Sequence, residues 1–172
     1  RAAAVVLGEA TCVAVADRSD FARVAPERAC VCPVPPPATF PPGDVVWFND
    51  ATPTDASLSG TWNWDTTQKA SGTSSHHEPR YNGSHQHFFT TTTPLGTPAA
   101  NDKLVTYVLL DPCDPPNEIV LQFNDGSGWE HRAYWGPDLI AGGTNGTPSK
   151  LRIGDLPATG QWVRLEVPAS SV

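Results

Sequence analysis

Hydrophobic positions fall in short clusters separated by Gly, Pro, Asn and Asp, and no segment repeats at 3.6 residues. Residues 103–110 (KLVTYVLL) are apolar on both faces, the mark of a strand with a neighbour on each side. Residues 118–123 and 129–135 alternate on either side of Asn124-Asp125-Gly126-Ser127-Gly128, which predicts a hairpin. With Phe123 set opposite Trp129, Gln122 meets Glu130, Val120 meets Arg132 and Glu118 meets Tyr134. Ile119, Leu121, Phe123, Trp129, Ala133 and Trp135 then line a core, with His131 on their side. Glu118, Gln122, Glu130, Arg132 and Tyr134 make a polar outer face. Residues 161–167 split likewise, with Val163, Leu165 and Val167 inward and Trp162, Arg164 and Glu166 outward. Residues 44–48 (DVVWF) form another apolar strand, and Trp62 and Trp64 share one side of a further one. After a polar stretch at 66–84, residues 84–92 (SHQHFFTTT) return to β-type residues. Near the N-terminus, 5–7 and 11–15 read as two short strands. Many short strands between turn signals predict an all-β fold, an antiparallel β-sandwich or jelly roll.

The run PVPPPATFPP at 33–42 holds the chain extended and acts as a stiff spacer or, less simply, an SH3-type ligand. It divides the chain into an N-terminal arm (1–32), a Pro-rich linker (33–43) and a β-sandwich module (44–172). The 172 residues suffice for one such core. The net charge of −7 with no basic stripe argues against nucleic acid as a partner. No apolar run approaches the roughly 20 residues of a membrane helix. The chain has no Met and starts at Arg1, as expected of a processed or excised chain whose export signal is already gone.

The four cysteines, Cys12, Cys30, Cys32 and Cys113, suit two disulfides and an oxidising compartment. Cys30 to Cys32 would close a strained ring, which leaves Cys12 with either of them and Cys113 with the other. Free thiols are the alternative. Asn82-Gly83-Ser84 and Asn145-Gly146-Thr147 are sequons and equally Asn-Gly turns.

Three groups carry candidate chemistry. On a shared sheet, Trp162, Tyr134, Arg132, Arg164, Glu130 and Gln122 would present aromatic rings and planar polar groups to a sugar. Cross-strand ion pairing of Glu130 with Arg132 or Arg164 uses the same residues without a ligand. His85 and His87 share a strand face at i, i+2, and with a loop imidazole they would suit zinc or copper. The plain alternative is a pair of strand histidines bonded to loop backbone. Asp111, Asp114 and Glu118 in DPCDPPNE are hard oxygen ligands suited to calcium, although the prolines give that loop a structural look. Asp125 belongs to its turn. No nucleophile elbow, P-loop, dinucleotide fingerprint or H-E-x-x-H occurs. Glu118, Glu130 and Glu166 are a weak basis for a glycosidase pair, so the expectation is a non-enzyme.

Several long motifs carry a resemblance: W-x-N-D, SG-x3-H-x8-HQHFF, DKL-x-x-YV-x-LDP-x3-P-x-EI-x-LQ-x-NDG, WEHRAYWG and G-x-LP-x-x-G-QWVRLEVPAS. Over residues 45–172 the sequence resembles a β-sandwich module of large secreted or surface proteins of planctomycetes, acidobacteria and related bacteria. The resemblance implies a lectin-like, carbohydrate-binding sandwich in a secreted, cell-surface or periplasmic setting. It matches His76, His85 and His87 to family histidine positions, which supports a metal or structural role for that trio, but it leaves out His77. Residues 1–43 have no counterpart, and the family's chain continues for one more strand. The expected function is therefore non-catalytic glycan binding. The alternative is a structural subunit of a multi-protein assembly that docks on other protein subunits through its N-terminal arm and an open sheet edge.

Overall fold

The computed structural model describes residues 5–9 (backbone course only), 35–38, 40–77 and 82–172. Its strands in chain order are β1 (Val5–Glu9), β2 (Val46–Phe48), β3 (Ser57–Ser59), β4 (Asn63–Asp65), β5 (Ser75–His77), β6 (Phe88–Thr90), β7 (Lys103–Leu109), β8 (Ile119–Phe123), β9 (His131–Trp135), β10 (Leu151–Gly154) and β11 (Trp162–Pro168). A 3-10 turn at Ala169–Ser171 follows. The fold is all-β, as the clusters and turn residues require. Among the described residues no helix is long and apolar enough to cross a membrane.

The largest sheet runs β11-β7-β1-β5-β4, with β2 also paired to β1. β7 is its centre. β11 lies antiparallel to β7 in unbroken register from Trp162 opposite Leu109 to Pro168 opposite Lys103. On the other side β1 runs parallel to β7, with Val5 opposite Val105 and Val6 opposite Thr106. The far edge of β1 is shared by β2 and, at Glu9, by β5. Residues 5–9 of the N-terminal stretch therefore sit inside the sandwich's own sheet. The strand read at 11–15 lies outside the described residues.

A second sheet, β10-β9-β8, faces the first, and β3 pairs with β6 in a small third ladder. The main core lies between the two larger sheets. Leu104, Val108 and Leu110 meet Leu165 and Val167 from one side and Ala133 and Trp135 from the other, with Ile119, Leu121, Phe123 and Val163 packed around them. Burying one such aliphatic side chain stabilises the fold by about 1.5–3 kcal/mol, so this cluster is what holds the sheets together.

The hairpin keeps the expected inside and outside, but its register differs by two residues. Phe123 lies opposite His131, not Trp129, and Gln122 lies opposite Arg132. The connection is longer because Asn124 and Asp125 both fold back on their own turn. Asn124 accepts the Gly126 N–H at 2.7 Å, and Asp125 accepts the Ser127 N–H at 2.8 Å. Trp129 is thereby freed from the ladder and packs on Phe88, with ring centroids 5.2 Å apart.

The Pro-rich spacer keeps Pro36, Pro37, Pro41 and Pro42 exposed but docks on the main sheet through Ala38 and Phe40. The Ala38 N–H donates to the Ala70 carbonyl at 2.7 Å, and Phe40 sets its ring against Tyr107 at 4.8 Å. A second apolar cluster of Ala70, Val105 and Tyr107 forms on the outer face of the main sheet, covered by Ala38, Phe40 and Trp162.

Candidate functional site

The residues expected to form one ligand face are divided between two sheets. Trp162 and Arg164 lie on the outer face of the main sheet, while Gln122, Arg132 and Tyr134 lie on the outer face of β8 and β9. The core separates them, so the condition of a shared sheet is not met. Their local surroundings explain them as packing groups. Trp162 belongs to the covered second cluster, and its Nε1 is enclosed with no hydrogen-bond partner among the described residues. Tyr134 is buried, donates its hydroxyl to Asn145 Oδ1 at 2.9 Å, and carries the Lys150 ammonium 5.6 Å from its ring centre. Arg132 forms a fork with Glu130 (2.9 and 3.0 Å) and also donates to the Ser149 carbonyl. The Arg132 hydrogen bond holds the exposed Glu130 carboxyl below its usual range. Gln122 donates to the Trp129 carbonyl at 2.6 Å. The sequence pattern could not foresee this because the loop at 136–150 folds back over β9.

Arg164 is the hub of the other face. It donates to both oxygens of Asp44 (2.6 and 3.2 Å), to Glu166 (2.7 Å) and to the Tyr107 hydroxyl (3.2 Å). Burial opposes its charge, yet these bonds outweigh it and hold the guanidinium more firmly protonated than usual. The charged positions on both faces are ion-paired, along the strand rather than across it: Glu130 with Arg132, one of the two partners expected for it, and Glu166 with Arg164.

The calcium reading fares similarly. Asp111 is fully buried and accepts the Cys113 N–H at 2.8 Å. Glu118 is buried beneath the loop beyond β9: its Oε2 accepts the N–H groups of Leu139 and Ile140 at 2.7 and 2.6 Å. These bonds make DPCDPPNE a brace for the loop beyond β9. Cys113 is disulfide-bonded; Cys12, Cys30 and Cys32 lie outside the described residues.

The histidines gather elsewhere, around Trp62 and Trp64. A latch places them. Asp50 takes a left-handed conformation (φ 63°) and accepts the N–H groups of Thr73 and Ser74 at 2.7 and 2.9 Å. A Cβ on Gly72 would fall 2.3 Å from that carboxylate, so only glycine fits there. The W-x-N-D and SG motifs are thus two halves of one joint, and the joint delivers β5. Across the site, a Cβ on Gly60 would meet the Gln86 carbonyl at 2.5 Å, so the chain before Trp62 runs hard against the segment that carries His87 just before β6.

The result is an aromatic nest. His76 is buried, and its Nδ1 lies 3.0 Å from His87 Nε2. Trp62 packs against both imidazoles, at 4.7 Å from His76 and 4.5 Å from His87. Phe48 and Phe89 close the inner side in an edge contact at 5.0 Å. Trp64 stacks beside Trp62 (6.4 Å, 26° between planes) and remains 39% exposed. His85 turns instead toward the Gly83 carbonyl, 3.5 Å away, so His76 and His87 meet and His85 does not join them. Among the described residues no three His, Cys, Asp or Glu side chains are disposed to hold a metal ion.

The chain matches no family model, no curated protein and no solved structure in comparisons with known proteins.

The site therefore stands on its own geometry. A shallow depression of about 310 Å³ lies between Val45–Trp47 and Leu95–Pro98, and no titratable side chain lines it. The sequence had placed both tryptophans on one side of a strand but had not connected them with the histidines. The signal for that link was the pairing of Trp64 with His76 across β4 and β5, which needs the Asp50 latch to form.

Proposed function

We propose that this is a non-catalytic, secreted or cell-surface β-sandwich module that binds carbohydrate on the Trp62–Trp64 platform. One observation carries the reading: an exposed Trp64 ring lies beside Trp62 at a shallow angle and is backed by a rigid bed of aromatic rings. Flat indole faces receive the C–H face of a pyranose, and a pre-formed platform loses little entropy on binding. Gln86, exposed on the adjoining loop, supplies a planar group for hydroxyls. The Cys113 disulfide supports an oxidising compartment. A glycan array on the whole chain, repeated with Trp64→Ala, tests the proposal. Binding should appear and then fall roughly tenfold or more in the variant, the scale of a lost central aromatic contact. An empty array, or equal binding by the variant, would sink it. Trp162→Ala serves as a control that should leave binding unchanged.

A second reading, as a structural subunit of an assembly, is favoured by one feature. β11 forms an edge of the main sheet, with β7 as its sole ladder neighbour among the described residues.

A further inference from the structure

The edge at β11 has the properties that sheets normally avoid. It is seven residues long, its ladder with β7 is free of bulges, and it has no lysine. Edges are usually blunted by lysine, proline, a bulge or shortness; here Pro168 stands at the end, outside the run Trp162–Val167. Its arginine is turned onto Asp44 and Glu166 of its own chain and does not guard the edge.

The residue order along β11 also identifies the partner. Read outward from Leu165, the strand is complementary to itself in the antiparallel sense. Val163 answers Val167, and Arg164 answers Glu166. We infer that two copies of this chain pair through β11, antiparallel about Leu165, joining their main sheets into one continuous sheet. In that register each Arg164 faces a Glu166 of the second copy, and the valines on the core side meet each other. Opposite charges and β-branched residues directly across an antiparallel pair are the favourable cross-strand contacts. The inference names a partner for the assembly reading and does not depend on glycan binding.

Sedimentation of the whole chain at near-physiological salt, over a wide concentration range, tests this. Each copy carries a net charge of −7, so salt is needed to screen repulsion. A reversible dimer is expected. Glu166→Arg places like charges across the two-fold in two places and should weaken the dimer roughly tenfold or more. A monomer at every concentration would overturn the inference, as would a dimer indifferent to Glu166→Arg. If the variant proves misfolded by circular dichroism, a spin label at the exposed Gln161 of the otherwise unaltered chain decides. The register puts the two labelled positions about 27 Å apart, eight residues at strand rise. A separation far from this, or none, would overturn it. A monomer that still captures another protein would end the dimer and leave the assembly reading standing.

Discussion

Asp44→Asn is the most informative single perturbation. Asp44 anchors the chain just before β2 to β11 through a two-point contact with Arg164, and its side chain is 5% exposed against 17% for the arginine. Breaking a buried pair by removing one partner costs about 3–5 kcal/mol, because the other charge stays desolvated. Glu166 remains 2.7 Å from Arg164 Nε and takes up part of the loss, so about 2–3 kcal/mol is the reasoned figure. For a domain of this size that is a melting-point drop of about 5–10 °C. Differential scanning calorimetry at neutral pH measures it, with urea unfolding as a second probe. The mechanism has its own check. Arg164→Met removes the charge that Asp44 serves, so the double variant should lose less than the sum of the two singles, by about 1 kcal/mol or more. A drop below about 1 °C in Asp44→Asn, or strict additivity in the cycle, would refute the idea that this pair pins the segment to the sheet.

Tyr134→Phe removes the bond from the buried hydroxyl to the exposed Asn145, at a cost of about 1 kcal/mol by thermal melt; an unchanged melt would mean the bond adds nothing. Gly60→Ala forces a Cβ against the Gln86 carbonyl at φ +78°. It should lower stability by about 1 kcal/mol or more and shift tryptophan emission as Trp62 leaves the imidazoles, whereas unchanged emission would contradict the close approach. Acid stability follows from the depressed carboxyls. Hydrogen bonds from the Ser127 side chain and backbone hold Asp125 at about 2 against the usual 3.8, and bonds from Arg164 and Lys103 lower Glu166. A folded value below the unfolded one means the contribution is complete above the unfolded value and is lost as pH falls through the folded one. Melting temperature should therefore fall between about pH 4 and 2. Asp125→Asn should soften that fall, and identical profiles would show that the turn contributes nothing.

The parts of the fold that were legible in the sequence are those fixed by burial. Residues 103–110, apolar on both faces, became the central β7, and Val163, Leu165 and Val167 point into the core as their alternation requires. β3, β5 and β10 were not foreseen. Ser57–Ser59 and Ser75–His77 are three polar-rich residues each, and they are strands because neighbours pair with them. Period-2 patterning also assigns a side of a strand but not the sheet to which the strand belongs. Trp162 and Tyr134 were rightly set outward, yet they ended on opposite sides of the sandwich, and each is covered by a distant segment, the Pro-rich run for one and the 136–150 loop for the other. The histidines illustrate the same limit. Spacing puts His85 and His87 on one strand face, whereas both lie in the irregular stretch before β6, and it is His76 of β5 whose side chain meets His87.

The position of β1 also bears on how the molecule is made. Its neighbour β7 is encoded 100 residues later, Val5 meeting Val105. At about 5–20 residues per second on the ribosome, the first strand waits on the order of 5–20 s for its partner to be synthesised. The centre of the largest sheet is thus a late, non-local event, and topologies of this kind fold in milliseconds to seconds rather than microseconds. Throughout that interval the edges of β1 and its eventual neighbours are open to other chains, so yield on expression should depend on translation speed and on chaperone supply more than the final stability alone would suggest.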